Sequence, residues 1–403
     1  MISQTLPPNY QRLSQLLPTF KGWAIFTIVA YHLWGYSKGW LLFSQVYSAS
    51  LKGGVKGLFE GILNIFCLLG EYGVHIFIIA SGFGLASSWW RGGKAAGKTF
   101  RLFDIFKFWQ RRLWRLFPLY WLAHGLALIL AWVQPAWVPF GREVLSQGIF
   151  DTILASFASL TTLRNFSLDY YYFLNAAWWY VGLAVQFYLI FPLLIWVGKR
   201  WGWSSLLIIS SLITLLYRTV IVGLSLNEIA TDILLRGAFF PTRLFGFVFG
   251  IVLAVTLLEP AAKTSQGMCR WSQKLLLEKR WIWLTALMWV VGVGFDWASS
   301  EGWMILRIPA DILIGVGEFC LLFQTMSVIS WGKAGLVTLG NLSYGIYLSH
   351  MNFMVALWTI LTPVLSFYWL RFFIVVAISC GLGGLFDYSY RLLSQKIALK
   401  TSS

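Results

Sequence analysis

Residues 239–258 read FFPTRLFGFVFGIVLAVTLL, twenty residues with one ionisable group, Arg243. A helix rises 1.5 Å per residue, so this stretch is about 30 Å long, the thickness of a bilayer's hydrocarbon core. Comparable apolar runs fall at 21–40, 65–90, 117–135, 177–197, 204–223, 281–297, 305–329, 337–361 and 367–387. Together they predict about ten transmembrane helices. Of the 403 residues, 58% are hydrophobic and 11% charged, with a mean hydropathy of +0.71. A soluble domain carries about 25% charged residues. A chain this poor in polar groups cannot cover itself in water, and lipid removes that requirement. The expected fold is all-α, a polytopic transmembrane helical bundle. It reads as one membrane-embedded domain over residues 1–403, with short tails at 1–20 and 390–403.

The net charge of +16 raises nucleic acid as a partner, but the distribution argues against it. Basic residues sit in short runs between apolar segments, as cytoplasmic loops do. One loop holds Arg91, Lys94, Lys98, Arg101, Lys107, Arg111, Arg112 and Arg115 against the single acid Asp104. Lys199–Arg200 follow, then Lys263, Arg270, Lys274, Lys279 and Arg280, then Arg391, Lys396 and Lys400. The alternate loops carry acids: Glu143, Asp151 and Asp169; Glu228 and Asp232; Asp296 and Glu301. This alternation predicts cytoplasmic N and C termini, with membrane lipids rather than nucleic acid as the partner of the charge. Lys52 and Lys56 break the pattern and are read as part of an interfacial helix. Cys67, Cys269, Cys320 and Cys380 form no CxxC pair and are read as small apolar residues, with no disulfide framework or metal site implied.

Ionisable groups inside spans are costly and so are functional candidates. His32 lies eleven residues after Lys21 in KGWAIFTIVAYH. Eleven steps of 100° bring the two to one helix face, about 16 Å apart along the axis. His350 in NLSYGIYLSH and His75 in YGVHIF lie at similar depth in their own spans. An imidazole can take a proton from a hydroxyl and return it to a leaving group. The competing reading for His32 is a packed ring bonded to a neighbouring carbonyl. His124 is read as a packing residue. Arg112 and Arg115 share a face at the start of the third span, where Pro118 suits a helix opening. They read either as a positive-inside anchor or as a phosphate clamp. Arg243 either snorkels to the interface or faces a polar cavity. Gly82, Gly84, Gly246 and Gly250 read as helix-packing positions.

Six segments carry a resemblance to the membrane-bound acyltransferase-3 family. KGWAIFTIVAYH (21–32) is similar to its opening basic residue, ten-residue gap and histidine. GVHIFIIASGF (73–83) resembles its second-span motif ending in Ser-Gly-Phe, where Ser81 falls. RRLWRLFPLY (111–120) resembles its paired-arginine motif. WWYVGLAVQFYLIFPLL (178–194) and RLFGFVFGIVLA (243–254) resemble two middle motifs, and LGNLSYGIYLSH (339–350) the late Ser-Tyr…Tyr-Leu-x-His motif. The resemblance implies transfer of an acyl group, commonly acetyl, from acyl-CoA to hydroxyls of glycans or lipids. Acyl-CoA is then a donor substrate, with no bound cofactor. A carbohydrate or lipid-linked glycan is the acceptor, and the site is a multi-pass protein of the bacterial plasma membrane. It implies catalytic roles for His32, Lys21 and His350, donor binding by Arg112 and Arg115, and supporting roles for Ser343 and Tyr344. Three family acids are absent: their positions hold Ala184, Gly246 and His75. A transporter or flippase of a glycan or lipid intermediate is the alternative, since ten helices with polar groups at mid-membrane suit one too; the hydropathy shows no inverted repeat to favour it.

Overall fold

The stretch that opens the sequence reading forms a helix, Leu244–Leu258, in which every residue except Gly246 is buried inside the protein. The computed structural model describes residues 6–94, 102–259, 267–329 and 332–401. Among them every regular element is helical. A helix lies at each of the ten expected positions: α1 (Pro8–Lys38), α2 (Gly73–Trp89), α3 (Leu102–Val133), α4 (Trp179–Trp201), α5 (Trp203–Gly223), α6 (Leu244–Leu258), α7 (Ile282–Ser300), α8 (Arg307–Met326), α9 (Ser343–Leu361) and α10 (Tyr368–Thr401); a further helix of 16 residues, Gly54–Leu69, falls where a connection was expected.

Seven helices among the described residues are long and apolar enough to cross a membrane, which makes this a multi-pass membrane protein. α1, α8 and α9 are not among the seven. Each carries buried or half-buried polar groups: Lys21 and His32; Asp311, Glu318 and Gln324; Ser343, Ser349, His350 and Asn352. Polar side chains in a bilayer face protein rather than lipid. The helices that fall short include those that bring Lys21, His32 and His350.

Element boundaries differ from the sequence reading in several places. α10 runs to Thr401, so the expected tail at 390–403 is mostly helix. α1 begins at Pro8 and contains Pro18, so the expected tail at 1–20 is mostly helix. α3 begins at Leu102 with Pro118 in its interior. Pro118 therefore does not open the helix, and Arg112 and Arg115 lie well inside it. A proline removes one backbone bond and is tolerated where neighbouring groups re-satisfy the carbonyl. Lys52 ends a short helix, Phe43–Lys52, and Lys56 lies in the next, Gly54–Leu69, as expected of residues outside a free loop. Lys98, Arg101 and Lys263 lie outside the described residues. The four cysteines are buried.

The chain divides into two compact units. One comprises Met1–Phe20, Val74–Gln110 and Gln186–Ala334; the other comprises Lys21–Gly73, Arg111–Val185 and Gly335–Ser403. In the first unit α2 and α6 pack backbone against backbone. A Cβ on Gly82 would strike the carbonyl of Phe247, and one on Gly250 the carbonyl of Ile79. Gly84 and Gly246 do not play this part: nothing lies within 4 Å of a Cβ at Gly84, and one at Gly246 would meet only Ile78 and Ile79, no nearer than 3.5 Å. Four glycines in helical spacing cannot all face one neighbour, and here the face belongs to Gly82 and Gly250.

Candidate functional site: a histidine pair and a buried ion cluster

In the second unit the C-terminal end of α1 is tied down on two sides. Trp34 Nε1 donates to Asn64 Oδ1 at 2.8 Å, and the Ser37 hydroxyl bonds the Tyr368 hydroxyl at 2.8 Å. Beyond the helix the chain turns back through Gly39 and Trp40, both with left-handed φ values (80° and 59°). The Trp40 ring then lies against the helix, where a Cβ on Gly35 would collide with it, and sits edge-on to His32 at 6.3 Å between centroids. His32 is thus half-buried in an aromatic collar of Tyr31 and Trp40.

α9 is held more firmly. At its start the Ser343 hydroxyl donates to the Gly340 carbonyl at 2.8 Å, and the Tyr344 hydroxyl to the Leu116 carbonyl at 2.7 Å. Asp387 accepts from the Gly345 amide at 3.0 Å and pairs with Arg391, which also donates to the Asn341 carbonyl. One turn further on, the Leu348 carbonyl accepts Trp178 Nε1 at 2.8 Å, and Asn175 Nδ2 bonds Asn352 Oδ1 at 3.0 Å. Asn175 is placed by Arg164, a fully buried guanidinium bonded to the carbonyls of Tyr171 and Asn175. Ser343 and Tyr344 therefore serve the backbone of the helix that carries His350.

The result is that His350 Nε2 lies 3.3 Å from His32 Nδ1, with ring centroids 5.1 Å apart. Backbone carbonyls decide the tautomers. A carbonyl can only accept, so each Nδ1 bonded to one carries the proton. His350 Nδ1 donates to the Tyr347 carbonyl at 2.8 Å, which leaves the lone pair on Nε2. His32 Nδ1 donates to the Ile28 carbonyl at 2.9 Å and shares that proton with His350 Nε2. The lone pair of His32 is consequently on its own Nε2. The bond to a neighbouring carbonyl, which the sequence reading offered as the competing account of His32, is present, and it fixes the orientation of the ring.

At the other end of the same face, Lys21 and Arg115 lie within electrostatic reach of each other. Among the described residues neither makes an ion pair with an acid. Gly22 lets α1 meet the carbonyl of Leu336 directly, where any side chain would collide. Arg112 is half-buried in the same unit. Two cations placed together without an acid favour an anion.

His75 and Arg243 meet in the first unit. Arg243 Nη1 lies 2.7 Å from His75 Nε2 and 2.8 Å from Asp311 Oδ1, and Arg218 pairs with the other oxygen of Asp311. Arg243 thus turns into a cluster of ionisable groups rather than snorkelling. The sequence reading missed Arg218 and Asp311, although both are ionisable groups inside spans, the same signal that singled out His75. Ser81 lies on α2, two turns from His75, and is half-buried. His124 is buried and stacked on Trp178 at 5.7 Å, with Nε2 making no hydrogen bond. It packs, as expected, though its second nitrogen is not satisfied locally.

Neither the curated proteins nor the solved structures searched give a match to this chain. The family model described as an acyltransferase domain matches residues 18–388, which include the histidine pair and the ion cluster, and the protein belongs to this acyltransferase-3 family of membrane acyltransferases.

Proposed function

We propose that the enzyme transfers an acyl group, acetyl in the simplest case, from acyl-CoA to a hydroxyl of a cell-envelope glycan or lipid-linked sugar, with His32 as general base. The observation that carries this reading is the His32–His350 contact with both tautomers set by carbonyls. His32 Nε2 takes the acceptor's hydroxyl proton as its oxygen attacks the thioester carbonyl. The new C–O bond forms, the C–S bond breaks, and the thiolate leaves with the proton from Nε2. While His32 is charged, its Nδ1–H bonds more strongly to His350 Nε2 and to the Ile28 carbonyl, the arrangement by which a third group orients and supports a base. His350, fully buried, is then a positioning residue.

The donor carries phosphates at one end of a long arm and the reacting carbonyl at the other. Lys21 and Arg115, with Arg112 in the same unit, suit the phosphates. His32 lies about 16 Å along α1 from Lys21, at the end of such an arm. The charge pattern supports a cytoplasmic Lys21 end and cytoplasmic termini, and the family supports a bacterial plasma membrane as the location.

The test is base-labile O-acyl content of envelope glycans and lipids, measured by mass spectrometry. A null strain is complemented with wild type, with His32→Ala or with empty vector, at equal membrane levels of protein. An ester that appears with wild type and vanishes with His32→Ala supports the reading and names the acceptor. The same ester restored by His32→Ala removes His32 from the chemistry. No ester difference in any strain turns attention to movement of an intermediate across the membrane.

A further inference from the structure

Two more cations of the second unit stand at the end of α1 opposite Lys21. Lys38 lies about 26 Å along the helix from Lys21, at 1.5 Å per residue. It is half-buried, with Nζ 4.2 Å from the centroid of the Tyr368 ring. Tyr368 opens α10 and is fixed there by its bond to the Ser37 hydroxyl. It sits edge-on to Trp358 of α9, at 5.4 Å between centroids, and Arg371 covers the Trp358 ring with Cζ 4.1 Å from the centroid. Lys38 and Arg371 thus share one aromatic floor, and Arg371 lies within electrostatic reach of Tyr368. Among the described residues neither cation pairs with an acid.

Arg371 is only 9% exposed. Its Nη1 donates to the carbonyls of Thr362, at 3.1 Å, and Leu365, at 2.8 Å, which closes the turn between α9 and α10. That turn uses one nitrogen of three. Nε is enclosed and makes no hydrogen bond. Nη2 makes none among the described residues either, and it is not enclosed. A buried donor left unpaired is costly, more so when it carries a charge, and an anion on Nη2 lowers that cost.

The surroundings say what kind of anion fits. Ile360, Val364, Phe367 and Leu370 flank Arg371 in sequence and are all exposed. In a membrane protein such side chains meet hydrocarbon. A guanidinium and an ammonium close together suit phosphate oxygens. On the topology that the charge pattern supports, this is the acid-bearing side, where cations do not serve as positive-inside anchors.

We propose that Lys38 and Arg371 bind the phosphate group of a lipid, its oxygens on Lys38 Nζ and Arg371 Nη2 and its hydrocarbon along Ile360, Val364, Phe367 and Leu370. The acceptor role of that lipid rests on the reading of His32 as the base. His32 lies about 9 Å along α1 from Lys38, within the span of a sugar attached to the phosphate. The donor's phosphates then sit at the Lys21 end of α1, the acceptor's at the Lys38 end, and the base between them.

The experiment is titration of the purified full chain in neutral detergent with farnesyl diphosphate, farnesol and inorganic diphosphate, read by thermophoresis of the labelled protein with no acyl-CoA present. Farnesyl diphosphate should bind saturably and at least about tenfold tighter than either fragment, since charge and hydrocarbon both contribute. Arg371→Gln should weaken it at least about tenfold, the loss of a hydrogen bond between charges. Arg371 also closes a turn, so Lys38→Gln, which leaves that turn alone, gives a second test with a similar expected loss. His32→Ala should bind as wild type does, so a failure of the acyl-transfer chemistry leaves the binding result standing. Dioleoyl phosphatidylglycerol distinguishes the source: binding tighter than that of farnesyl diphosphate assigns the phosphate to a bilayer lipid, weaker binding to a carrier-linked sugar. Farnesyl diphosphate no better than farnesol, or Lys38→Gln and a folded Arg371→Gln binding as wild type, would overturn the proposal. So would a loss confined to Arg115→Gln, which places the diphosphate on the donor's cations instead.

Discussion

Replacing His350 by leucine removes the nitrogen that accepts His32 Nδ1–H and keeps an apolar side chain of similar bulk in a site with no solvent exposure. The magnitude follows from the charge on His32. In the resting enzyme the contact joins two neutral rings, worth about 0.5–1.5 kcal/mol. At the transition state His32 is charged, and a hydrogen bond from a charged group is worth about 1.5–3 kcal/mol. The difference, about 1–1.5 kcal/mol, appears in the barrier and slows turnover about 5- to 13-fold. The Ile28 carbonyl still orients the ring, so the loss should stay well short of the roughly 10²- to 10⁴-fold expected when the base itself is removed. KM for acyl-CoA should not move, since His350 touches His32 and not the donor. His350→Gln offers an amide oxygen to the same Nδ1–H and should recover part of the rate. The assay is release of CoA thiol by purified protein with the acceptor named by mass spectrometry, alongside a melting curve for each variant. A folded His350→Leu enzyme with wild-type turnover refutes the pairing. A loss as deep as that of His32→Ala puts the proton transfer on His350 instead.

Arg115→Gln removes one of two cations that lie within electrostatic reach of each other and pair with no acid among the described residues. It should raise KM for acyl-CoA about tenfold or more with kcat little changed, the loss of one charge-assisted bond to phosphate, and steady-state kinetics in varied acyl-CoA check it. Gly250→Val drives a side chain into the carbonyl of Ile79, whereas Gly84→Ala meets nothing within 4 Å. The first should abolish folded protein in detergent-extracted membranes and the second should leave its yield and melting temperature unchanged, measured by fluorescence-detected size-exclusion chromatography.

The all-α fold and the positions of most of its long helices were legible from apolar length alone, because a bilayer demands about 20 apolar residues per crossing and little else. The stretch 239–258 shows the limit of that signal. Its apolarity marks a helix, but the helix is buried in protein, and lipid is as apolar as leucine, so composition cannot say which neighbour it has. The same limit explains Gly84 and Gly246: spacing puts glycines on a helix, and only the rotation of α2 against α6 decides which ones touch.

The site was legible one residue at a time. Lys21 and His32 could be placed on one face because a helix repeats every 3.6 residues. His350, His75, Arg115 and Arg243 were visible as polar groups in apolar surroundings. Their partners were not. His32 and His350 are 318 residues apart in sequence, and nothing local relates them. The sequence determined that this is a helical membrane protein of the acyltransferase-3 family with costly polar groups inside its spans. Only the tertiary structure decided that His32 meets His350 while His75 meets Asp311 and Arg243. Helix periodicity is a local property of the backbone, whereas the rotation and depth at which two helices meet depend on every side chain packed between them.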